Sequence, residues 1–214
     1  GLKDLGVHTE MMADAYVEMW EKGCITGAKK ELDRKKMVCA FALGSPHLYE
    51  FMDHNPMIAC YSVDYTNNPY VIAQISNMIS INACLEVDFY GQVVSEMQGP
   101  RQITGTGGQW DFVYGAYHSK GGKSFLCMPS TFKAKDGSLQ SKIRPLLTPG
   151  AACTVSRQLS HYIVTEYGKA LMKCQSIWVR TENLINIAHP DFRDELIAEA
   201  NKMGFWKRTN KIAP

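Results

Sequence analysis

Residues 37–43 read Met-Val-Cys-Ala-Phe-Ala-Leu, a run with no polar side chain set between Lys35-Lys36 and Gly44-Ser45-Pro46. A strand that is apolar on both faces must be covered on both, which is the condition of strands in parallel sheets flanked by helices. Shorter stretches in which apolar residues mix with polar ones predict strands over 5–9, 57–63, 78–82, 85–90, 123–128, 143–147 and 162–165, and Gly91 turns the chain into a further extended piece over 92–94. Helical spacing fills the intervals. Over 11–21, Met11, Ala15 and Met19 make one stripe and Met12, Tyr16 and Trp20 the next, with Thr9 or Asp14 as the capping oxygen and Gly23 as the stop. Ser45-Pro46 opens a helix through Met52, with proline in its first turn, and Asn67-Asn68-Pro69 opens a short one. Further helices are expected over 110–117, 176–188 and 191–203; in the last, Phe192, Leu196, Ile197 and Ala200 share one face. Residues 99–109 read as a loop, 132–142 as a polar hairpin tip, and the basic tail 207–214 is expected to fray. Strands alternating with helices, without an internal repeat, make this an α/β chain.

The 214 residues suffice for one large domain or two small ones. With 23 basic against 21 acidic side chains the net charge is +2, which gives no bulk electrostatic case for binding nucleic acid or an anionic membrane. No apolar run approaches the ~18–20 residues of a membrane-spanning helix, and Gly1-Leu2-Lys3-Asp4 does not lead into the apolar stretch of a signal peptide. The seven cysteines are odd in number and form no CxxC pair, which argues against a disulfide framework and a zinc ribbon and for a reducing compartment. The six histidines show no HExxH spacing, so no metal site is expected.

Four local features carry possible chemistry. In Gly6-Val7-His8-Thr9-Glu10-Met11 a carboxylate stands where a short strand is expected to turn into a helix, the end of the strand at which α/β proteins build their sites. Taken alone, Glu10 reads more readily as a first-turn acid favoured by the helix dipole. Gly105-Thr106-Gly107-Gly108-Gln109 precedes a helix and lets a backbone approach an anion or oxyanion, or is simply a tight turn. Ser119-Lys120-Gly121-Gly122-Lys123-Ser124 looks like the end of a phosphate-binding loop, but Gly115 lies six residues before Gly121 where that loop requires five, so a turn is the better reading. Val164-Thr165-Glu166 ends a strand in a second carboxylate, the rival catalytic acid. No Ser or Cys forms a triad pattern with the histidines.

Taken in order, Gly-Val-His-Thr-Glu-Met, Asn-Asn-Pro-Tyr-Val-Ile, Ser-Ile-Asn-Ala-Cys-Leu-Glu-Val-Asp, Gly-Thr-Gly-Gly-Gln-Trp-Asp-Phe, Ser-Lys-Gly-Gly-Lys-Ser, Val-Thr-Glu-Tyr-Gly and Ala-His-Pro-Asp-Phe-Arg resemble the acetyl-CoA hydrolase/transferase family, and within it the 4-hydroxybutyrate and butyrate:acetate CoA-transferases. The resemblance implies a CoA-transferase-like α/β fold with a mixed, largely parallel sheet flanked by helices. It covers only the C-terminal half of such enzymes. Their N-terminal half, which ends in a glycine-rich CoA-binding stretch, has no counterpart here, so residues 1–214 are expected to be a C-terminal catalytic domain whose active site lies between the two halves.

The resemblance also assigns residues. The family's catalytic glutamate falls on Glu10. Its active-site asparagine falls on Asn67, with Asn68 one step away. The glycine whose N–H helps hold the acyl oxygen and the CoA thioester falls on Gly108, with Gly107 and Gln109 beside it. Lys120 and Gly121 fall in a loop on the CoA side. A glutamate, with an ordinary pKa of about 4.3, is ionised at neutral pH and can act as a nucleophile. The implied reaction passes through a glutamyl-CoA thioester with ping-pong kinetics. It needs acyl-CoA and short-chain carboxylates as substrates, and no tightly bound cofactor. A hydrolase of the same fold, in which water reaches the thioester, is the alternative, and a non-catalytic fragment is another. The family further implies an intracellular setting (cytoplasm or mitochondrion), a homo-oligomer, and the N-terminal half as partner.

Overall fold

The computed structural model describes residues 1–206; the tail 207–214, expected to fray, lies outside the described residues. The chain divides into two compact units, one made of residues 1–78 and 114–122, the other of 79–113 and the chain from 123 onward.

The first unit runs β1 (Val7–His8), β2 (Met11–Met12), α1 (Asp14–Glu21), β3 (Met37–Cys39), β4 (Phe41–Ala42), α2 (Pro46–Met52), β5 (Ile58–Cys60), α3 (Val63–Thr66) and α4 (Pro69–Ile72). Strands β1, β3 and β5 form a parallel sheet in that order, with Val7 opposite Met37 and Met37 opposite Ile58. Val7, Met12, Val17, Ile25, Met37, Cys39 and Leu48 make its core. The apolar run 37–43 is extended, as expected, but it is two strands. Ala40 and Phe41 both donate their N–H to the Glu10 carbonyl, at 2.9 and 3.1 Å. Two donors against one acceptor is a bulge, and it bends the strand. Beyond it the chain changes partner, and β4 pairs in parallel with β2.

The same pairing corrects the first helix, which begins at Asp14 and not at residue 11. Met11 and Met12 alternate exposed and buried as strand residues do, and Ala13 is extended at φ −135° and ψ 164°. Glu10 therefore stands between two short strands, and the first-turn reading of it falls. The 57–63 strand is also shorter than expected. It stops at Cys60, opposite the last residue of β3, and Ser62 then leads into α3. Helices α2 and α4 start on their prolines as expected, and Gly23 follows α1 at φ +67°.

Lys30 is buried under this sheet and donates Nζ to the carbonyls of Val7 (2.8 Å) and Lys36 (2.7 Å). Burial pushes its pKa from 10.5 down to about 8. Between those two values the unfolded chain holds the proton and the folded chain has lost it, so stability rises with pH across that window. The unfolding free energy of the protein is accordingly expected to climb, relative to a Lys30→Met variant, from about pH 8 to 10.5 in urea titrations. A flat difference across that window would show that Lys30 titrates alike in both states.

The second unit holds β6 (Ile79–Ala83), β7 (Glu86–Asp88), β8 (Val93–Val94), β9 (Met97–Gln98), β10 (Arg101–Gln102), β11 (Lys123–Cys127), β12 (Thr131–Lys133), β13 (Leu139–Ser141), β14 (Ile143–Arg144), β15 (Tyr162–Thr165), β16 (Gly168–Leu171), α6 (Ile177–Asn186) and α7 (Pro190–Lys202). Helix α5 (Gln109–His118) begins in this unit and ends in the first. The main sheet has the order β16-β15-β11-β6, with β6, β11 and β15 parallel and β16 antiparallel. A smaller sheet, β14-β7-β8, pairs parallel and then antiparallel. Mixed, mostly parallel sheets are what the sequence led us to expect.

Val87, Phe89, Leu126, Ile143, Ile163, Met172 and Leu184 fill the core of this unit. On the opposite face of β6, Ile79 and Ile81 are 46% and 70% exposed. The 132–142 segment is the expected hairpin, β12 with β13. The 99–109 loop contains one short strand, β10, which folds back on β9. In α7, Leu196 and Ala200 are buried, whereas Ile197 is exposed. Strand β16 has no counterpart in the sequence reading. Its Gly-Lys-Ala-Leu has little strand character, and it is extended because a two-residue turn at Glu166-Tyr167 lays it along β15. Among the described residues no helix is long and apolar enough to cross a membrane.

Candidate active site

Parallel strands point their carboxyl ends to one edge, and the loops there are where α/β folds place their chemistry. In the first unit that edge is built from Thr9-Glu10 after β1, Ala40-Phe41 after β3 and Tyr61-Ser62 after β5. Glu10 is half-buried, and its backbone is fixed by the two N–H groups of the bulge. One residue earlier, Thr9 donates its N–H to the Val38 carbonyl at 3.0 Å, and its hydroxyl donates to the Met11 carbonyl at 3.1 Å. The peptide that carries Glu10 is thus held on both sides.

His8 joins this peptide to the segment that carries the asparagines. Its Nε2 lies 2.8 Å from the Thr66 carbonyl, a bond across 58 residues, with both partners buried. Burial lowers the His8 pKa, so the ring is neutral at physiological pH and donates as imidazole. Glu10 follows His8 by two residues and Asn67 follows Thr66 by one. Sequence reasoning missed His8 because it tested the histidines only for metal and triad spacing. The residue stood inside the Gly-Val-His-Thr-Glu motif, and only a contact across 58 residues reveals its part.

The two asparagines separate by their bonding. Asn68 caps α4, its Oδ1 accepting the Tyr70 N–H at 3.0 Å. Asn67 has a buried Oδ1 with no hydrogen-bond partner in the protein. A buried amide oxygen left unpaired costs about 1–3 kcal/mol, and it is an acceptor only.

In the second unit the glycine turn lies at the carboxyl end of β6. Gly107 is exposed at φ +58°, Gly108 is buried, and the Gly108 carbonyl accepts the Phe112 N–H at 3.0 Å in the first turn of α5. Gln109 opens the helix. It is 7% exposed, donates Nε2 to the Ala83 carbonyl at 2.8 Å, and keeps a buried Oε1 without a partner. The glutamine fastens the start of α5 to the end of the strand, so the turn's backbone is positioned by a side chain at its own edge.

Lys120 and Gly121 sit in the turn that ends α5, within the first unit. Gly121 is at φ +76° against the Asn77 side chain, and the Lys120 carbonyl accepts the Asn77 N–H at 2.8 Å. Lys120 is exposed. The segment is the turn that its glycine spacing suggested. Glu10 and Asn67 share the first unit, while Gly107, Gly108 and Gln109 belong to the second.

Glu166, the rival carboxylate, is occupied. Its oxygens accept the Ser130 N–H at 2.8 Å and the Ser130 hydroxyl at 2.6 Å. Burial is the largest single influence and raises its pKa, but the hydrogen bonds from Ser130 and its own backbone, with His189 nearby, together outweigh it and hold the carboxyl below 4.5. An open, apolar depression of about 430 Å³ adjoins it, lined by Cys127, Met128, Pro129, Val164 and Thr165. Glu166→Gln is expected to cost about 1 kcal/mol at neutral pH, the worth of a hydrogen bond to the loop. The depressed pKa makes this stabilisation present above 4.5 and lost as pH falls through the folded value. The two proteins should therefore converge in acid, which urea melts at several pH values will check.

This α/β chain, with Glu10 and Asn67 in one unit and the Gly107-Gly108-Gln109 turn in the other, has counterparts among solved structures. It superposes on RipA from Yersinia pestis with a TM-score of 0.87 at 42% identity, covering 96% of this chain and 46% of that one. It also superposes on the 4-hydroxybutyrate CoA-transferase of Porphyromonas gingivalis with a TM-score of 0.77 at 44% identity, covering 94% and 46%. Residues 44–200 match the acetyl-CoA hydrolase/transferase C-terminal domain, and the chain belongs to that family. It is 59% identical over 211 residues to a probable butyrate:acetyl-CoA coenzyme A-transferase of Syntrophomonas wolfei, a match over 99% of this chain and 47% of that protein. The chain spans about half the length of the curated relatives it matches.

Proposed function

We propose that residues 1–214 are the C-terminal catalytic domain of an intracellular CoA-transferase that moves CoA between short-chain carboxylates such as 4-hydroxybutyrate, butyrate and acetate, with Glu10 as the nucleophile. The observation that carries this reading is the seating of Glu10. It lies at the carboxyl edge of β1-β3-β5 on a peptide held by Ala40 and Phe41, two residues from the His8 bond that brings the Asn67 segment alongside. Kinship with CoA-transferases supports the reading.

The Glu10 carboxylate attacks the acyl-CoA carbonyl, and CoA thiolate leaves an acyl-glutamyl anhydride. The thiolate returns to the glutamyl carbonyl and releases the first carboxylate, which leaves Glu10 as its CoA thioester. A second carboxylate attacks that thioester and again expels thiolate. The thiolate then attacks the acyl carbonyl of the new anhydride, giving the new acyl-CoA and free Glu10. Electrons and atoms balance without a metal or redox partner, and the kinetics are ping-pong. Asn67 offers its side-chain Nδ2–H to the reacting carboxylate or carbonyl, oxygens that accept. Gly107, Gly108 and Gln109 line the side that receives the thioester oxygen, where each donor is worth about 2.7–4 kcal/mol. Lys120 and Gly121 approach the CoA moiety. The partner is an N-terminal half of the kind the relatives carry, and the working enzyme is a homo-oligomer.

Borohydride reduces a glutamyl thioester to an alcohol and spares a carboxylate. The chain, alone and supplied with an N-terminal half, is incubated with a short acyl-CoA, treated with borohydride and mapped by peptide mass spectrometry. Conversion of Glu10 to the alcohol is the expected result. Conversion of Glu166 in its place would overturn the assignment. Thioester loss without a carboxylate acceptor would make the enzyme a hydrolase.

A further inference from the structure

The last residues of β3 and β5 are both cysteines. Cys39 and Cys60 stand directly opposite one another in the parallel register, and their sulfurs are 3.4 Å apart. Cys39 is fully buried in the core of the first unit, whereas Cys60 is exposed. A disulfide requires about 2.05 Å between sulfurs and side chains that face one another; this pair already faces and needs only a small closure. A second neighbouring pair differs. Cys84 directs its thiol at the Cys127 backbone carbonyl, 3.8 Å away, and not at the Cys127 sulfur.

We propose that Cys39 and Cys60 form a dithiol site that closes to an intramolecular disulfide by exchange with a low-molecular-weight disulfide such as oxidised glutathione. The exposed Cys60, as thiolate, attacks one sulfur of the reagent. A mixed disulfide forms on Cys60 and one glutathione thiolate departs. Cys39 then gives up its proton and attacks the Cys60 sulfur, and the second glutathione departs. Two protein thiols are oxidised to one disulfide, and one glutathione disulfide is reduced to two thiols that take the two protons. Burial and the hydrogen bond to Cys60 push the Cys39 thiol up to about 12, which makes the second step the slow one and accelerates it as pH rises. The site adjoins the nucleophile's support. Cys39 immediately precedes Ala40, whose N–H holds the Glu10 carbonyl, and the Cys39 carbonyl accepts the Tyr61 N–H beside Cys60 at 2.9 Å.

The test treats the full chain with oxidised glutathione at mildly alkaline pH and follows intact mass and non-reduced peptide maps. The expected product has lost two hydrogens, carries no glutathione at this pair, links the Cys39 and Cys60 peptides, and reverts with dithiothreitol. Cys60→Ser should prevent the link, and Cys39→Ser should leave a stable glutathione adduct on Cys60. A stable adduct on Cys60 of the unmutated chain, beside a free Cys39, would overturn the proposal. So would a Cys60 that stays unmodified while the exposed Cys153 and Cys174 react.

Discussion

Glu10→Ala is expected to lower CoA transfer by at least about 10³-fold, the scale on which enzymes lose activity when a covalent nucleophile is removed. The fold should not change with it. Its backbone carbonyl, which accepts the two N–H groups of the bulge, is present in alanine as well. The unfolding free energy should stay within about 0.5 kcal/mol of the parent, as for a substitution outside the core. The measurement is steady-state transfer in the protein completed by an N-terminal half, alongside a urea melt. Glu10→Asp keeps the carboxylate but withdraws it by one methylene, and should fall between the two. Normal turnover in Glu10→Ala, with loss in Glu166→Ala, would move the nucleophile to the second unit.

The second large effect is on folding. Gly122 faces the backbone of its own helix end, and a methyl group there would sit inside the contact radius of the Ala116 carbonyl oxygen and 2.8 Å from the Ser119 Cβ. Neither neighbour can retreat. Ala116 is in α5, and the Ser119 hydroxyl donates to the Ile75 carbonyl at 2.6 Å while accepting the Met78 N–H at 3.2 Å. Gly122→Ala is therefore expected to cost about 3 kcal/mol or more, the upper end for overpacking against rigid neighbours. The comparison is Gly107→Ala. Its methyl meets nothing within 4 Å, so only its φ of +58° is penalised, at about 1 kcal/mol. Melting temperatures of the two variants will separate space from backbone freedom. Equal losses would show that the Gly122 turn yields.

Much of this arrangement was legible because it is local. The apolar run at 37–43 became strands since nothing but burial suits it, and the helices started by Pro46 and Pro69 follow from the ring that fixes φ. The bulge at Glu10 was not legible. It depends on Ala40 and Phe41 meeting a carbonyl thirty residues earlier, and the methionines that follow Glu10 fit a helical stripe as well as a strand. The order of motifs carried the family, while the pairing of His8 with Thr66 arises only once three strands lie side by side. Asn67 and Asn68 are equivalent as letters. The first turn of α4 takes one of them for its cap and leaves the other with an unused oxygen.

Strand β6 has a consequence for anyone who handles this chain. It is the last strand on one side of its sheet among the described residues, and it shows Ile79 and Ile81 to water. An unpaired strand edge with branched apolar side chains is a template on which further strands add, and natural proteins blunt such edges with lysine, proline or a covering element. Here the exposed positions carry isoleucine. Synthesised by itself, the chain is prone to precipitate from concentrated stocks and to recruit copies of itself edge to edge. Dilute preparation, or a lysine in place of Ile81, is the corresponding remedy.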